Sequence, residues 1–167
     1  MTGTTPADNG AGRGDLPGVV ARPPLIYGAG LALGFALEAV WPLSWPAAVS
    51  RQVAIALGLA LIAAGGGIFV AAVVRMMRVG TNVPTWRPTT ALVTDGVFAR
   101  SRNPIYVAFA FIHGGIAFAA GNAWMLVLLV PALALIHWGV VLREERYLER
   151  KFGAAYLDYK SRVRRWL

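Results

Sequence analysis

The sequence predicts an all-α integral membrane protein, with about four transmembrane helices and a cytoplasmic amphipathic helix at the C-terminus. Three observations lead there. Of 167 residues, 57% are hydrophobic and only 14% charged, and the mean hydropathy is +0.57; an ordinary soluble domain is roughly a quarter charged. The apolar residues gather into runs near the length of about 20 that a bilayer requires. The charges crowd beside those runs. Cysteine is absent, which excludes disulfides, thiolate metal sites and a cysteine nucleophile. The net charge of +8 reads as membrane-flanking charge, so the bilayer and not nucleic acid is the expected partner.

Taken in order, residues 1–22 open with MTGTTPADNGAGRGDLPGVV, rich in Gly, Thr and Pro and without apolar periodicity, and read as a flexible tail. Residues 23–167 read as one domain, with spans at about 24–42, 52–74, 104–120 and 123–142. Little more than Gly121 and Asn122 joins the last two, which makes them a tight antiparallel hairpin. Fifteen of the 16 Lys and Arg residues fall on one set of alternating segments and Arg51 alone on the other. Both termini are therefore expected in the cytoplasm, in a multi-pass protein of the cell membrane. Trp41, Trp45 and Trp124 then share the opposite interface, as an aromatic belt does.

Several polar or small residues lie inside the spans. Gly65, Gly66 and Gly67 lack a preceding strand and a following Lys-Ser/Thr, so close helix packing is expected instead of a phosphate cradle. Pro131 is expected to kink the fourth span. Glu38 lies one turn from the end of the first span, near enough to reach water. His113 and His137 have no carboxylate at ligand spacing, so packing and not metal binding is expected, and no metal site is assigned.

Two polar segments hold the candidate chemistry. Arg75 to Asn103 is long for a passive connector, and its apolar stations at Ala91–Val93 and Val97-Phe98 imply that it folds back. Arg143 to Leu167, REERYLERKFGAAYLDYKSRVRRWL, places Leu148, Phe152, Ala155, Tyr159 and Val163 at helical spacing. This predicts one helix over 143–165, weakened at Gly153. Glu144 and Glu145 bracket its apolar stripe and need partners, with Arg100, Arg102 or a cationic ligand as candidates.

TALVTDGVFARSRNPIYVAF, followed after one hairpin by REERYLERKFGAAYLDYKSRVRRW, resembles the isoprenylcysteine carboxyl methyltransferase family and its wider relatives, the membrane phospholipid methyltransferases. The likeness covers about half the chain and keeps both motifs in order. It implies a helical membrane enzyme that uses S-adenosylmethionine without a dinucleotide-binding fold, acting on a hydrophobic small-molecule or lipid acceptor. Carried over by position, it implies cofactor contacts at Leu92, Val93, Phe98, Asn103, Pro104, Ile105, Tyr106 and Glu144. Asn103 stands where many members have His. The arginine that contacts the prenylated substrate in eukaryotic members falls here on Val140, so Arg143, one turn later, takes its place. Catalytic roles are thus expected at Tyr106 and Arg143, and substrate contacts at Arg143 and Glu145. A nicotinamide-dependent reductase of related architecture, a membrane scaffold and a transport subunit are the alternatives.

Overall fold

The structure, a computed structural model, describes residues 16–46, 48–83 and 87–167. Helix α1 (Pro23–Val40) opens on two prolines, tolerated where the first-turn amides have no helical partner. Helix α2 (Arg51–Val79) starts at Ser50, whose Oγ accepts the Val53 N–H at 3.4 Å, and stops at Gly80, where φ is +76°. After a long loop with one 3-10 turn at Gly96–Ala99, α3 (Pro104–Ala120) begins at a proline and ends at Gly121. Asn122 then accepts the Met125 amide at 3.0 Å and so caps α4 (Ala123–Ile136).

Helix α4 continues through Pro131 and passes by a five-residue π turn, His137–Val141, into α5 (Leu142–Phe152). A final short helix, α6, spans Ala154–Arg162. Three stretches, Pro23–Val40, Arg51–Val79 and the combined Ala123–Phe152, are long and apolar enough to cross a membrane. The fourth apolar helix, α3, has 17 residues, at the short limit of the spanning range of about 17–25. The chain is an all-helical, multi-pass integral membrane protein, and no strand occurs among the described residues.

Three boundaries differ from the sequence expectation. The C-terminal helix does not run unbroken over 143–165: Gly153, at φ +52° and ψ −126°, separates α5 from α6. Only glycine adopts that backbone without strain, so the residue expected merely to weaken the helix ends it. The chain becomes extended at Val163. Helix α2 continues five residues past the expected end at Val74, so Arg75 and Arg78 are helical. Leu16–Arg22, inside the stretch read as a tail, lies against the α4–α5 rod, where the Val20 N–H donates to the Gly139 carbonyl at 3.1 Å. The rest of that tail, residues 1–15, lies outside the described residues.

Helices α2 and α3 meet through glycine. A Cβ at Gly58 would lie 2.6 Å from the Gly115 carbonyl oxygen, and one at Gly65 would lie 2.7 Å from that of Ala108. Either position with a side chain would push the helices apart. Gly66 and Gly67 face open space. His113 is buried, its Nε2 is 2.9 Å from the Met125 carbonyl, and its ring packs against Gly30. His137 packs edge-on to Trp138 and near Trp166.

The two ends of the bundle are unlike. At one, the Trp124 indole donates to the Trp41 carbonyl at 2.7 Å and Trp45 meets Phe118 edge to face. Glu38 lines a shallow hollow at this end with Phe35, Ala39 and Ala120–Asn122. The other end is polar and contains the candidate site.

Candidate active site

A cavity opens where α2 ends, α3 begins and α5 starts. Counted with the solvent at its mouth it encloses about 820 Å³.

The α2–α3 loop forms one side because Thr81 folds it back. Thr81 Oγ1 accepts the amides of Thr90 and Ala91 at 3.1 and 3.3 Å, and Thr90 Oγ1 donates to the Gly80 carbonyl at 2.8 Å. These bonds bring Leu92 and Val93 to the cavity wall. The next turn is tied to α2 by the Arg75–Asp95 ion pair. The hydrogen-bonded Arg75 guanidinium holds the Asp95 carboxyl below its usual range. Phe98 follows on the wall, and its carbonyl accepts the Tyr159 hydroxyl at 2.7 Å. Burial pushes the Tyr159 phenol up to about 12, so it remains a donor across the physiological range.

The segment entering α3 supplies Asn103, Pro104, Ile105 and Tyr106. The Asn103 side-chain amide donates to the Arg165 carbonyl at 2.8 Å, while its backbone N–H donates to Ser101 Oγ at 3.1 Å. Tyr106 donates its hydroxyl to Glu144 Oε1 at 2.7 Å, joining α3 to α5. Its carbonyl accepts the Tyr27 hydroxyl at 3.1 Å, joining α1 as well.

The eight residues expected to touch a cofactor, Leu92, Val93, Phe98, Asn103, Pro104, Ile105, Tyr106 and Glu144, all line this one cavity. Arg143 and Glu145 do not. Arg143 is exposed, and its guanidinium donates to the Gly18 carbonyl at 3.0 Å. Glu145 is 5% exposed and engaged on both oxygens: Oε1 accepts from Arg102 at 2.7 Å and Arg165 at 2.8 Å, and Oε2 accepts from Arg165 at 2.9 Å. Glu144 has no ion-pair partner among the described residues.

A sequence model of the phospholipid methyltransferase family matches residues 53–155, more than half the chain. The chain belongs to the phospholipid methyltransferase family. That family is one of the membrane methyltransferases related to isoprenylcysteine carboxyl methyltransferase, in keeping with the motifs read from the sequence. A Haemophilus influenzae (strain ATCC 51907 / DSM 11121 / KW20 / Rd) protein described as uncharacterized is 47% identical over 45 residues, covering 27% of this chain and 68% of its own. No solved structure matches the chain.

The phospholipid methyltransferase match stops at residue 155, yet the cavity extends beyond it. Tyr156 and Tyr159 line it from α6 and Pro17 reaches it from before α1, while Tyr147, inside the match, lines it from α5. Sequence reasoning assigned none of these four to the site. The tyrosines carried a signal, since Tyr147 lies one turn after Glu144 and Tyr159 is on the apolar stripe. Pro17 carried none.

Proposed function

We propose that this membrane methyltransferase takes its methyl group from S-adenosylmethionine and transfers it to a lipidic or isoprenoid acceptor bearing a carboxylate, amine or thiol. The observation that carries the reading is the meeting of two distant motifs, Leu92–Tyr106 and Glu144, on one cavity wall, the Glu144 carboxylate having no ion-pair partner among the described residues.

The residues present fit the parts of that cofactor. Leu92, Val93, Phe98 and Ile105 offer apolar surface to an adenosine, with Pro104 beside them. Asn103 has its amide N–H engaged by Arg165, which leaves its side-chain oxygen to accept from a ligand. Glu144 accepts one hydroxyl on Oε1 and keeps Oε2 for a ligand ammonium. Tyr106, whose hydroxyl is held by Glu144, is the aromatic surface suited to a sulfonium. When bound, S-adenosylmethionine supplies an electrophilic methyl group on a cationic sulfur. The chain's task is then alignment and exclusion of water, because in-line transfer depends chiefly on the approach of the acceptor. Arg143 and Glu145, engaged by Gly18 and by two arginines, receive supporting roles in this reading and not catalytic or substrate-contacting ones.

The same reading puts the cavity and both termini on the cytoplasmic side of the cell membrane, because fifteen of the 16 basic residues belong to that side. Calorimetry of the purified protein tests the cofactor. S-adenosylhomocysteine should bind saturably and NADPH should not. Binding of NADPH alone would assign a reductase, and binding of neither would leave a scaffold.

A further inference from the structure

The cavity has two walls outside the family match, and they are held in very different ways. The C-terminal wall is clasped by charge. Arg165 grips Glu145 through two nitrogens, and Arg102 joins the same carboxylate, with the Arg102 and Glu145 side chains 8% and 7% exposed. Arg102 also donates to the carbonyls of Lys160 and Val163 at 2.9 and 2.7 Å, and its own amide donates to the Arg164 carbonyl at 2.9 Å.

The N-terminal wall is Pro17, carried on the segment Leu16–Val20. Pro17 is buried against the cavity, and Val19 packs on the neighbouring core of Tyr27, Tyr106, Ile136, Val140 and Val141. Among the described residues, two hydrogen bonds attach it to the α4–α5 rod: Arg143 to the Gly18 carbonyl at 3.0 Å, and the Val20 N–H to the Gly139 carbonyl at 3.1 Å. Gly18 and Arg143 are exposed, and Val20 is 64% exposed. The rod is shaped to receive this segment. Gly139 lies in the π turn, a form concentrated at functional sites, and a Cβ built there would meet Val20 alone, at 3.5 Å.

We infer that Leu16–Val20 carries the movable wall of the cavity, that Arg143 and the Gly139 carbonyl hold it shut, and that its opening sets the rate of ligand entry and release. Segments with few buried contacts and solvent-exposed hydrogen bonds open at the lowest cost, and gating segments commonly set ligand exchange. Arg143 is then a positioning residue, acting on the site through Gly18 and Pro17. The inference rests on the cavity being the cofactor site.

The test exploits the absence of cysteine. The Val20 and Gly139 Cβ positions lie 3.5 Å apart, at the near edge of the disulfide range of about 3.5–4.5 Å. In the full chain carrying Val20→Cys and Gly139→Cys, S-adenosylhomocysteine binding is followed by stopped flow before and after reduction. The reduced form is the control for folding. Oxidation should slow association and dissociation at least about tenfold each and change Kd by less than about twofold. A static wall would not move both rates together. Arg143→Ala should shift dissociation the other way, severalfold faster. Equal rates in the oxidised and reduced forms would overturn the inference, as would failure of so close a pair to form the disulfide under oxidant. Absence of binding in both forms would overturn the cofactor reading and the movable wall with it.

Discussion

The two flanks of α5 carry the same side chain one residue apart and give it opposite fates. Glu144 faces the cavity with a phenol as its hydrogen-bond donor; Glu145 faces the C-terminal segment and is closed in by two guanidinium groups. A buried carboxylate already paired on both oxygens has nothing left for a ligand, whereas one whose hydrogen-bond donor among the described residues is a neutral phenol has capacity for a counter-charge. Position on the helix therefore separates a clasp from a proposed binding group, and the contrast can be tested one residue at a time.

The largest effect belongs to the clasp. Glu145→Gln would leave the Arg102 and Arg165 guanidinium groups facing a neutral amide. Loss of one partner from a buried pair commonly costs about 3–5 kcal/mol; with Arg165 32% exposed, a cost of about 3 kcal/mol is expected. Thermal unfolding in detergent reads it, and a parent-like melting temperature with weakened cofactor binding would move Glu145 into the site.

Glu144→Gln should do the reverse. About 2 kcal/mol of affinity for S-adenosylhomocysteine, near thirtyfold, should be lost while the melting temperature changes little. Parent-like binding would detach the ammonium from this carboxylate.

Asn103 lies between the two flanks, since its amide nitrogen serves the C-terminal segment and its oxygen is the group proposed to accept from the ligand. Asn103→Leu should cost about 1–3 kcal/mol of affinity by stranding buried partners, and Asn103→His, which keeps a donor and an acceptor, should retain most binding. Equal tolerance of both in a titration would reduce the residue to a structural one.

The smallest effect is expected at Glu149, whose side chain is 31% exposed and paired with Lys160. Glu149→Gln should alter affinity by less than about threefold. A larger loss would show that charge anywhere on α5 matters, and the contrast between the flanks would fail.

Much of this arrangement was legible in the sequence because it follows from local rules. Apolar run lengths gave the helices, and Pro23, Pro104 and Gly121 punctuate them. The resemblance to the family's motifs, carried over position by position, named the eight residues that share one cavity. What was hidden depends on chain reversal. Arg165 lies twenty positions from Glu145 and reaches it only because Gly153 breaks the helix, whereas an unbroken helix over 143–165 would have carried Arg165 away. The attachment of Gly18 to Arg143 and of Val20 to Gly139 depends on a π turn, and no periodicity in HWGVV announces one. A long-range backbone contact such as that of Val20 leaves no pattern in the local sequence.

Photolabelling with a radioactive 8-azido analogue of S-adenosylmethionine, followed by peptide mapping, tests the central claim most directly. Label that S-adenosylhomocysteine competes away should fall in two separated stretches, Leu92–Tyr106 and Glu144–Tyr159. Competed label confined to α1 or to the tryptophan end of the bundle would contradict the account.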